Sequence, residues 1–180
     1  MIKQLRASGG MWLSHAGTNI LIDPGPGSLV RCVSARPALD PGTLDAIILT
    51  HKHLDHSNDI NVMIEAMTEG GFKKRGVVFA PSDACGASGV IMPYLRDFPE
   101  KIIPLKEGDF ELGTIRFTVP VRNQHSGETY GLKFFLGTTI VSFVGDTRYF
   151  DHLLSAYRDS SVLVLNVVFL NAAASMSIYT

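Results

Sequence analysis

The sequence predicts a layered α/β domain, for three reasons. Short apolar runs recur along the whole chain and are separated by glycine or proline, which is typical of strands and helices joined by turns. Predicted strands dominate the first part of the chain, and strands and helices are mixed further on. The 180 residues suffice for one hydrophobic core of ordinary size, so a single domain over residues 1–180 is the simplest organisation.

The predicted strands are short apolar runs that end at turn residues. In chain order they are residues 11–13, 19–22, 44–50, 76–80, 101–105, 110–112, 114–119, 130–136, 139–144 and 161–168. Residues 16–18 form the turn between the first two strands, and Pro24 stops the second because proline has no backbone donor. Gly113 supplies a hairpin turn. We expect the strands at residues 44–50 and 161–168 to be buried.

Three helices are predicted, at residues 59–69, 90–98 and 149–158. Apolar side chains in the first recur at steps of three and four and therefore share one face: Ile60, Met63, Ile64 and Met67. Ser57 or Asn58 is expected to cap the start of this helix, and Gly70 to end it. Pro93 falls near the first turn of the second helix, where proline is tolerated.

Composition excludes several classes of protein. Apolar residues make up 46% of the chain and the net charge is −1, which suits a globular protein and gives no broad nucleic-acid footprint. Cys32 and Cys85 belong to no Cys-x-x-Cys pair, so we expect reduced thiols in a cytoplasmic protein. Residues 1–6 lack the apolar core of a secretory signal, and residues 162–170 are too short to span a bilayer. No membrane partner is expected.

Four candidate metal ligands lie within residues 51–56, directly after a predicted strand: His51, His53, Asp55 and His56. In an extended segment residues two apart point the same way, so His51 and His53 can converge on one ion. Asp55 and His56 follow where the chain turns toward a helix, and they can face a second ion. A single loop histidine is usually a surface or capping residue, but three histidines and an aspartate this close together favour a metal site. Such ligands suit zinc, and also iron or manganese.

Two further candidate ligands follow other predicted strands. Asp146 comes after the strand at residues 139–144, and His125 follows the strand at residues 114–119 by a short loop. Sites in open α/β sheets lie beyond the carboxyl ends of strands, so three strands can deliver these side chains to one edge. Taken alone, Asp146 could equally be a turn carboxylate and His125 an ordinary loop residue. Beside the first cluster, both are predicted ligands.

This pattern resembles the metallo-β-lactamase superfamily. The resemblance rests on the His-x-His-x-Asp-His signature at residues 51–56, with support from residues 18–25, His125 and the Gly-Asp-Thr element at residues 145–147. It runs over roughly residues 11–170. It implies an αββα sandwich, in which two mixed β-sheets lie face to face and helices cover them outside.

The resemblance also implies roles for the candidate ligands. One ion would be held by His51, His53 and His125, the second by Asp55 and His56, and Asp146 would bridge the two. Asp55 and Asp146 are the carboxylates assigned to catalysis. Asp23 matches a position that often supports the ligands in this superfamily, although a turn-forming role before Pro24 explains it equally well.

The sequence departs from the superfamily pattern near its end. The superfamily usually supplies a further histidine to the second metal from a late loop, but residues 171–180 contain none. His152 is the only histidine after Asp146, and it falls on a predicted helix. A truncated or altered end, or a ligand from another subunit, would account for this departure. We expect a weak or vacant second site and an incomplete C-terminal edge, whose exposed apolar surface would favour a homo-oligomer.

The predicted function is that of a metal-dependent hydrolase with two divalent ions, of which zinc is favoured. A divalent ion lowers the pKa of bound water from about 15.7 toward 7, so a metal-bound hydroxide becomes the nucleophile. Two ions can stabilise the attacking and leaving oxygens together, which favours a phosphodiester of a small nucleotide-like molecule or nucleic acid. The nuclease and cyclic phosphodiesterase branches of the superfamily also show the Gly-Asp-Thr element. Candidate contacts to an anionic substrate are Arg148, Arg122 and Tyr130.

Two other functions stay open at this point. The same hydroxide could attack the carbonyl of a carboxylic ester, lactone, thioester or β-lactam. A degraded second site could instead leave a metal-stabilised protein that binds a ligand without turnover. His15 is a candidate proton donor to the leaving group, although a turn histidine is the more ordinary role for it.

Overall fold

The first sheet is built from the N-terminal part of the chain. A computed structural model describes residues 10–166. In spatial order the strands are β1 (Met11–His15), β2 (Thr18–Ile22), β3 (Ala46–Ile48), β4 (Val77–Ala80) and β5 (Lys101–Pro104). β1 runs antiparallel to β2, and the neighbours from β2 to β5 are parallel. This sheet is therefore mixed.

The second sheet contains the remaining described strands. They are β6 (Gly108–Leu112), β7 (Ile115–Val119), β8 (Leu132–Leu136), β9 (Thr139–Phe143) and β10 (Val162–Val164), in the spatial order β10-β9-β8-β7-β6. β6 to β9 form an antiparallel meander, and β10 joins β9 in parallel. The second sheet is mixed as well.

Successive side chains on the strands of the first sheet point to opposite faces, and they belong to two separate hydrophobic cores. Ile20 and Ile22 of β2 pack in a cluster with side chains of the second sheet such as Phe117 and Phe134. Leu21, between them, belongs to a cluster that includes the helical side chains described below. Because successive side chains of a strand point to opposite faces, the first sheet has the second sheet on one face and helices on the other.

Within residues 10–166, four α-helices flank the sheets. They are α1 (Ser28–Ser34), α2 (Leu54–Ser57), α3 (Ile60–Met67) and α4 (Asp151–Tyr157). The predicted face of Met63, Ile64 and Met67 on α3 is fully buried in the core against the first sheet. Lys133 points away from the inter-sheet core and pairs with Asp159, directly after α4, which places α4 on the outer face of the second sheet. The predicted αββα sandwich is confirmed.

Several predicted helices differ from those observed. A separate helix, α2, precedes α3 because the Asp59 N–H donates to the Pro24 carbonyl at 2.8 Å and leaves the helical ladder. Ser57 is therefore the last residue of α2, and neither Ser57 nor Asn58 caps α3. The helix predicted at residues 90–98 is wrong. Only a 3₁₀ turn forms there, at Pro93–Leu95, with N–H groups bonded three residues back.

The C-terminal strand also differs from its prediction. β10 was expected to be buried, yet Val162 and Leu163 are 49% and 45% exposed. Within the described residues β10 is an edge strand of the second sheet, so one of its sides has no neighbouring strand there. Residues 167–168 of the predicted strand, and residues 171–180, which lack the late histidine, lie outside the described residues. None of the helices between residues 10 and 166 has the length and apolarity that crossing a bilayer requires.

Candidate metal centre

The predicted ligands meet at one end of the sandwich, on loops from both sheets. The loop after β3 carries His51 and His53, the short helix α2 that follows carries Asp55 and His56, and the loop between β7 and β8 carries His125. Asp146 follows β9. The Tyr130 N–H donates to the Thr50 carbonyl at 3.1 Å and ties the two sheets together beside the site. The site thus lies between two sheets, rather than along the edge of one.

Three histidine side chains form a first group. The ring centroids of His51 and His53 are 4.7 Å apart, those of His51 and His125 are 5.2 Å apart, and those of His53 and His125 are 4.7 Å apart. His125 Nε2 lies 3.0 Å from His53 Nδ1. A tetrahedral zinc ion holds its ligand nitrogens about 3.3 Å apart, so this separation suits a shared ion.

One atom of the first group shows that the group fits a metal. His51 Nε2 is buried and, among the described residues, has no hydrogen-bond partner. Its other ring nitrogen, Nδ1, lies 3.1 Å from Thr50 Oγ1. Leaving a buried polar atom unpaired is costly, and a bound ion is one explanation for such an atom. A cation between the three rings would pair this nitrogen.

A second group consists of Asp55, His56 and Asp146. His56 Nε2 lies 3.5 Å from Asp55 Oδ2 and 3.5 Å from Asp146 Oδ1. The other oxygen of Asp146, Oδ2, lies 4.0 Å from His51 Nε2 and 3.9 Å from His125 Nε2. Asp146 therefore turns one carboxylate oxygen toward each group. Asp55 is 57% exposed, which makes the second group the more open of the two.

Asp23 contacts the second group through His56 and orients its imidazole ring. Its carboxylate is fully buried and accepts hydrogen bonds from the Thr50 N–H and the Thr50 hydroxyl, each at 2.7 Å. Asp23 Oδ2 also lies 2.8 Å from His56 Nδ1, so His56 presents its other nitrogen to the second group. Asp23 has a positive φ of 49° before Pro24 and is thus also a turn residue. Asp23 therefore both contacts a candidate ligand and forms the turn before Pro24, the two roles that the sequence left open.

Two asparagines near the ligands were missed by the sequence reasoning. Asn123 donates from Nδ2 to the carbonyls of Val144 and Asp146, at 2.6 Å and 3.1 Å, and so joins the His125 loop to the Asp146 loop. Asn166 donates to Asp146 Oδ1 at 2.8 Å. The only sequence signal for Asn166 is that it interrupts an apolar run. Neither contact could be inferred before the strands were placed.

Charge is distributed unequally over the histidines. Burial, together with the neighbouring His56, lowers the pKa of His51 to about 3. Burial would also lower the pKa of His56, but hydrogen bonds with Asp146 and Asp23 raise that pKa to about 10. Burial acts against ionisation of Asp146, yet hydrogen bonds from His56 and Asn166 hold the pKa of its carboxyl well below the usual range. At neutral pH the His51 imidazole is therefore neutral, the state that metal binding requires.

The raised pKa of His56 predicts a pH-dependent stability in protein stripped of metal by a chelator. The unfolded imidazole has a pKa near 6.5 and the folded one about 10, so the folded state keeps a proton that the unfolded chain loses in this range. The contribution of His56 to the free energy of unfolding is complete below pH 6.5 and falls as the pH rises through 10. The free energy of unfolding is expected to fall by at most about 1.4 kcal/mol per pH unit because of His56. Urea unfolding at several pH values measures it.

A His56→Gln variant is the control for this pH dependence, because it lacks the titrating ring. Its stability is expected to change less between pH 7 and 10 than that of the unmodified chain. A stability of the unmodified chain that stays constant or increases across this range would contradict the account.

The candidate substrate contacts have different environments. Arg148 is exposed two residues after Asp146, and its N–H donates to the Gln124 carbonyl at 2.9 Å. Arg122 is exposed and donates to the Gly127 carbonyl at 3.3 Å. Tyr130 is only 6% exposed and packs in the inter-sheet core, so its placement favours packing rather than the predicted substrate contact.

The two remaining histidines lie away from the groups described above. His15 pairs with Thr18 at the start of β2, whereas Asp23 follows the end of that strand. A role for His15 as a proton donor is therefore wrong, because a five-residue strand separates it from the site by about 16 Å. His152 is exposed on α4 and belongs to none of the candidate metal groups within the described residues.

Comparison with known families gives one match over most of the chain. A family profile described as a beta-lactamase superfamily domain matches residues 18–179. Among curated proteins, an uncharacterised protein of Methanocaldococcus jannaschii is 27% identical over 173 residues. The match covers 93% of this chain and 64% of the relative, so the chain spans less than two thirds of that relative's length.

Solved structures with the same architecture are similar over nearly all of this chain. The metallo-beta-lactamase fold protein YhfI from Bacillus subtilis has a TM-score of 0.71 and 19% identity, over 89% of this chain and 63% of its own. The short form of human tRNase Z has a TM-score of 0.64 and 16% identity, over 89% and 71%. A diphosphatase of the PhnP family has a TM-score of 0.65 and 18% identity, over 88% and 60%. At these low identities, the likeness shows a shared fold.

Proposed function

Since this chain belongs to the beta-lactamase superfamily, we propose that it is a metal-dependent hydrolase that acts on a phosphodiester. The observation that carries the proposal is the buried His51 Nε2, which has no hydrogen-bond partner among the described residues and faces the rings of His53 and His125. A cation bound among the three converging imidazole rings would account for the unpaired nitrogen.

The proposed ligands of the first ion are His51 through Nε2, His53 through Nδ1 and His125 through Nε2. Asp55 and His56 are proposed for a second ion, with Asp146 between the two. When bound, divalent ions at these positions lower the pKa of water and make hydroxide available near neutral pH. Imidazole and carboxylate donors favour zinc, and manganese and iron are compatible with the same set.

The side chains around the ligands have their own tasks in this proposal. Asp23 holds His56 through Nδ1 and keeps its Nε2 directed at the second group. Asp146 places negative charge between the two groups, where it would balance part of the charge of bound ions. The exposed Asp55 makes the second ion the weaker one. A weak second site therefore stays part of the proposal.

Two features support a phosphodiester rather than a carbonyl substrate. Two adjacent ligand groups can stabilise the attacking and leaving oxygens of an in-line displacement together. The exposed guanidinium of Arg148, two residues after Asp146, is available to an anionic substrate.

Among proteins of the same fold, one is a tRNase Z and another a diphosphatase. We propose a small nucleotide-like substrate, because the net charge of −1 offers no broad footprint for a nucleic acid. The cytoplasmic location stays a prediction.

A panel of substrates tests the proposal. Bis(p-nitrophenyl) phosphate and cyclic nucleotides, supplied with zinc or manganese, are expected to show turnover that a chelator abolishes and added metal restores. Absence of activity on every phosphodiester, with clear activity on a lactone, thioester or β-lactam, would move the function to carbonyl hydrolysis. Tight metal binding without turnover of any of these would indicate a non-catalytic binding protein.

A further inference from the structure

The residue after His125 makes a contact that the ligand assignment does not use. Ser126 Oγ lies 2.9 Å from His53 Nε2, the ring nitrogen that is not assigned to the metal. The other nitrogen of the same ring, Nδ1, lies 3.0 Å from His125 Nε2. His53 is thus held between two consecutive residues of the His125 loop, one on each ring nitrogen. The protonation of each ring nitrogen decides whether it donates or accepts in its contact.

A neutral imidazole carries one proton, and its position decides which nitrogen can bind a metal. When the proton is on Nε2, the Nε2–H of His53 donates to Ser126 Oγ and the lone pair of Nδ1 faces His125. When the proton is on Nδ1, that nitrogen cannot act as a ligand. A hydroxyl can accept the Nε2–H, whereas a methyl group in its place cannot. The side chain at position 126 therefore acts on the ligand through its opposite nitrogen.

We propose that Ser126 is a positioning residue of the metal centre, which holds the ring of His53 in the orientation that directs Nδ1 at the ion and accepts the Nε2–H of His53 when the ion occupies Nδ1. This inference rests on the proposed function, since it takes His53 as a ligand. Hydrogen bonds to the far nitrogen of a ligating histidine orient the ring and increase its basicity. Ser126 does not touch the reacting atoms, so its effect is on metal binding before it is on turnover.

The position of the Ser126 hydroxyl is set by the loop that carries it. The Asn123 N–H donates to the Thr129 carbonyl at 2.9 Å and closes the loop at its base. Glu128, next to Thr129, accepts hydrogen bonds from the Ser82 N–H at 3.0 Å and the Ser82 hydroxyl at 2.6 Å, and so anchors the base of the loop to the segment after β4. A loop anchored in this way presents Ser126 to His53 at little additional cost in entropy.

Removing the hydroxyl at constant side-chain volume tests the proposal. Ser126→Val and Ser126→Thr have nearly the same shape, and only threonine retains the hydroxyl. Ser126 is exposed, so both variants are expected to fold, which circular dichroism checks. We expect Ser126→Val to bind the first equivalent of zinc about tenfold more weakly than the unmodified chain, and Ser126→Thr to restore most of that affinity. Competition with a chromophoric chelator measures the affinities.

Two further readouts complete the experiment. The visible absorption of bound Co²⁺ is expected to change in Ser126→Val and to be restored in Ser126→Thr, because the band reports the ligand geometry. Ser88→Ala, at an exposed serine outside the site, is expected to match the unmodified chain. Equal zinc affinities and equal Co²⁺ spectra for Ser126→Val and Ser126→Thr would overturn the inference alone. An unmodified chain that binds no zinc would overturn the proposed function together with it.

Discussion

Replacing His53 with alanine is expected to remove most of the bound metal and to lower metal-dependent hydrolysis about a thousandfold or more, which corresponds to about 4 kcal/mol of lost transition-state stabilisation. The reason is geometric. His53 lies between His51 and His125 in the first group, and without it two nitrogens remain for an ion that prefers four ligands. Elemental analysis of the purified variant and its turnover of a phosphodiester measure both effects.

The fold of the His53→Ala variant is expected to persist. His53 is only partly buried and precedes α2 in a loop, so its removal leaves no large cavity. His152→Ala is the matched control, since His152 is an exposed histidine on α4 outside the metal groups of the described residues. It should retain full metal content and full activity. Full metal content in His53→Ala would contradict the ligand assignment.

Replacing Asp23 with alanine is expected to lower the free energy of unfolding by about 3–5 kcal/mol, the largest loss of stability that we predict for a single substitution. The fully buried carboxylate accepts two hydrogen bonds from Thr50 and contacts His56 Nδ1 at 2.8 Å. Alanine would leave the Thr50 N–H and the His56 Nδ1 without this partner. Urea unfolding in the presence of a chelator measures the change.

Asp23→Asn separates the loss of charge from the loss of shape. Asparagine keeps one acceptor oxygen and tolerates the positive φ of 49°, so a loss of about 1–3 kcal/mol is expected. Asp97→Ala, at an exposed aspartate, should change stability by less than about 0.5 kcal/mol. If Asp23→Ala were as stable as the unmodified chain, the contacts of the carboxylate with Thr50 and His56 would not stabilise the fold as described.

The sequence predicts those residues of the site that lie close together along the chain. His51, His53, Asp55 and His56 lie within one short segment, and the apolar run before them fixes where that segment begins. The apolar run at residues 44–50 and the helical spacing in α3 predict a buried strand and a buried helix face, and the structure agrees. Local periodicity carries this information because each element buries one face of its own chain.

Only the resemblance to a known family indicated the supporting role of Asp23, which contacts His56 across 33 residues. The supporting contacts of serine and asparagine could not be predicted, because they join residues far apart in sequence. Ser126 contacts His53 across 73 residues, and Asn123 contacts Asp146 across 23. Serine and asparagine side chains are common in loops, so nothing in the sequence marks these members of the site. The break between α2 and α3 has the same cause, since it depends on a hydrogen bond from Asp59 to Pro24. Such pairings appear only when both sheets are in place.

The central claim is that His51, His53 and His125 share one ion, and a zinc-soaked crystal of the protein tests it most directly. Anomalous diffraction at the zinc edge should show a strong peak within about 2.0–2.2 Å of His51 Nε2, His53 Nδ1 and His125 Nε2. No peak at that place, or zinc bound elsewhere while His51 Nε2 stays unpaired, would contradict the claim.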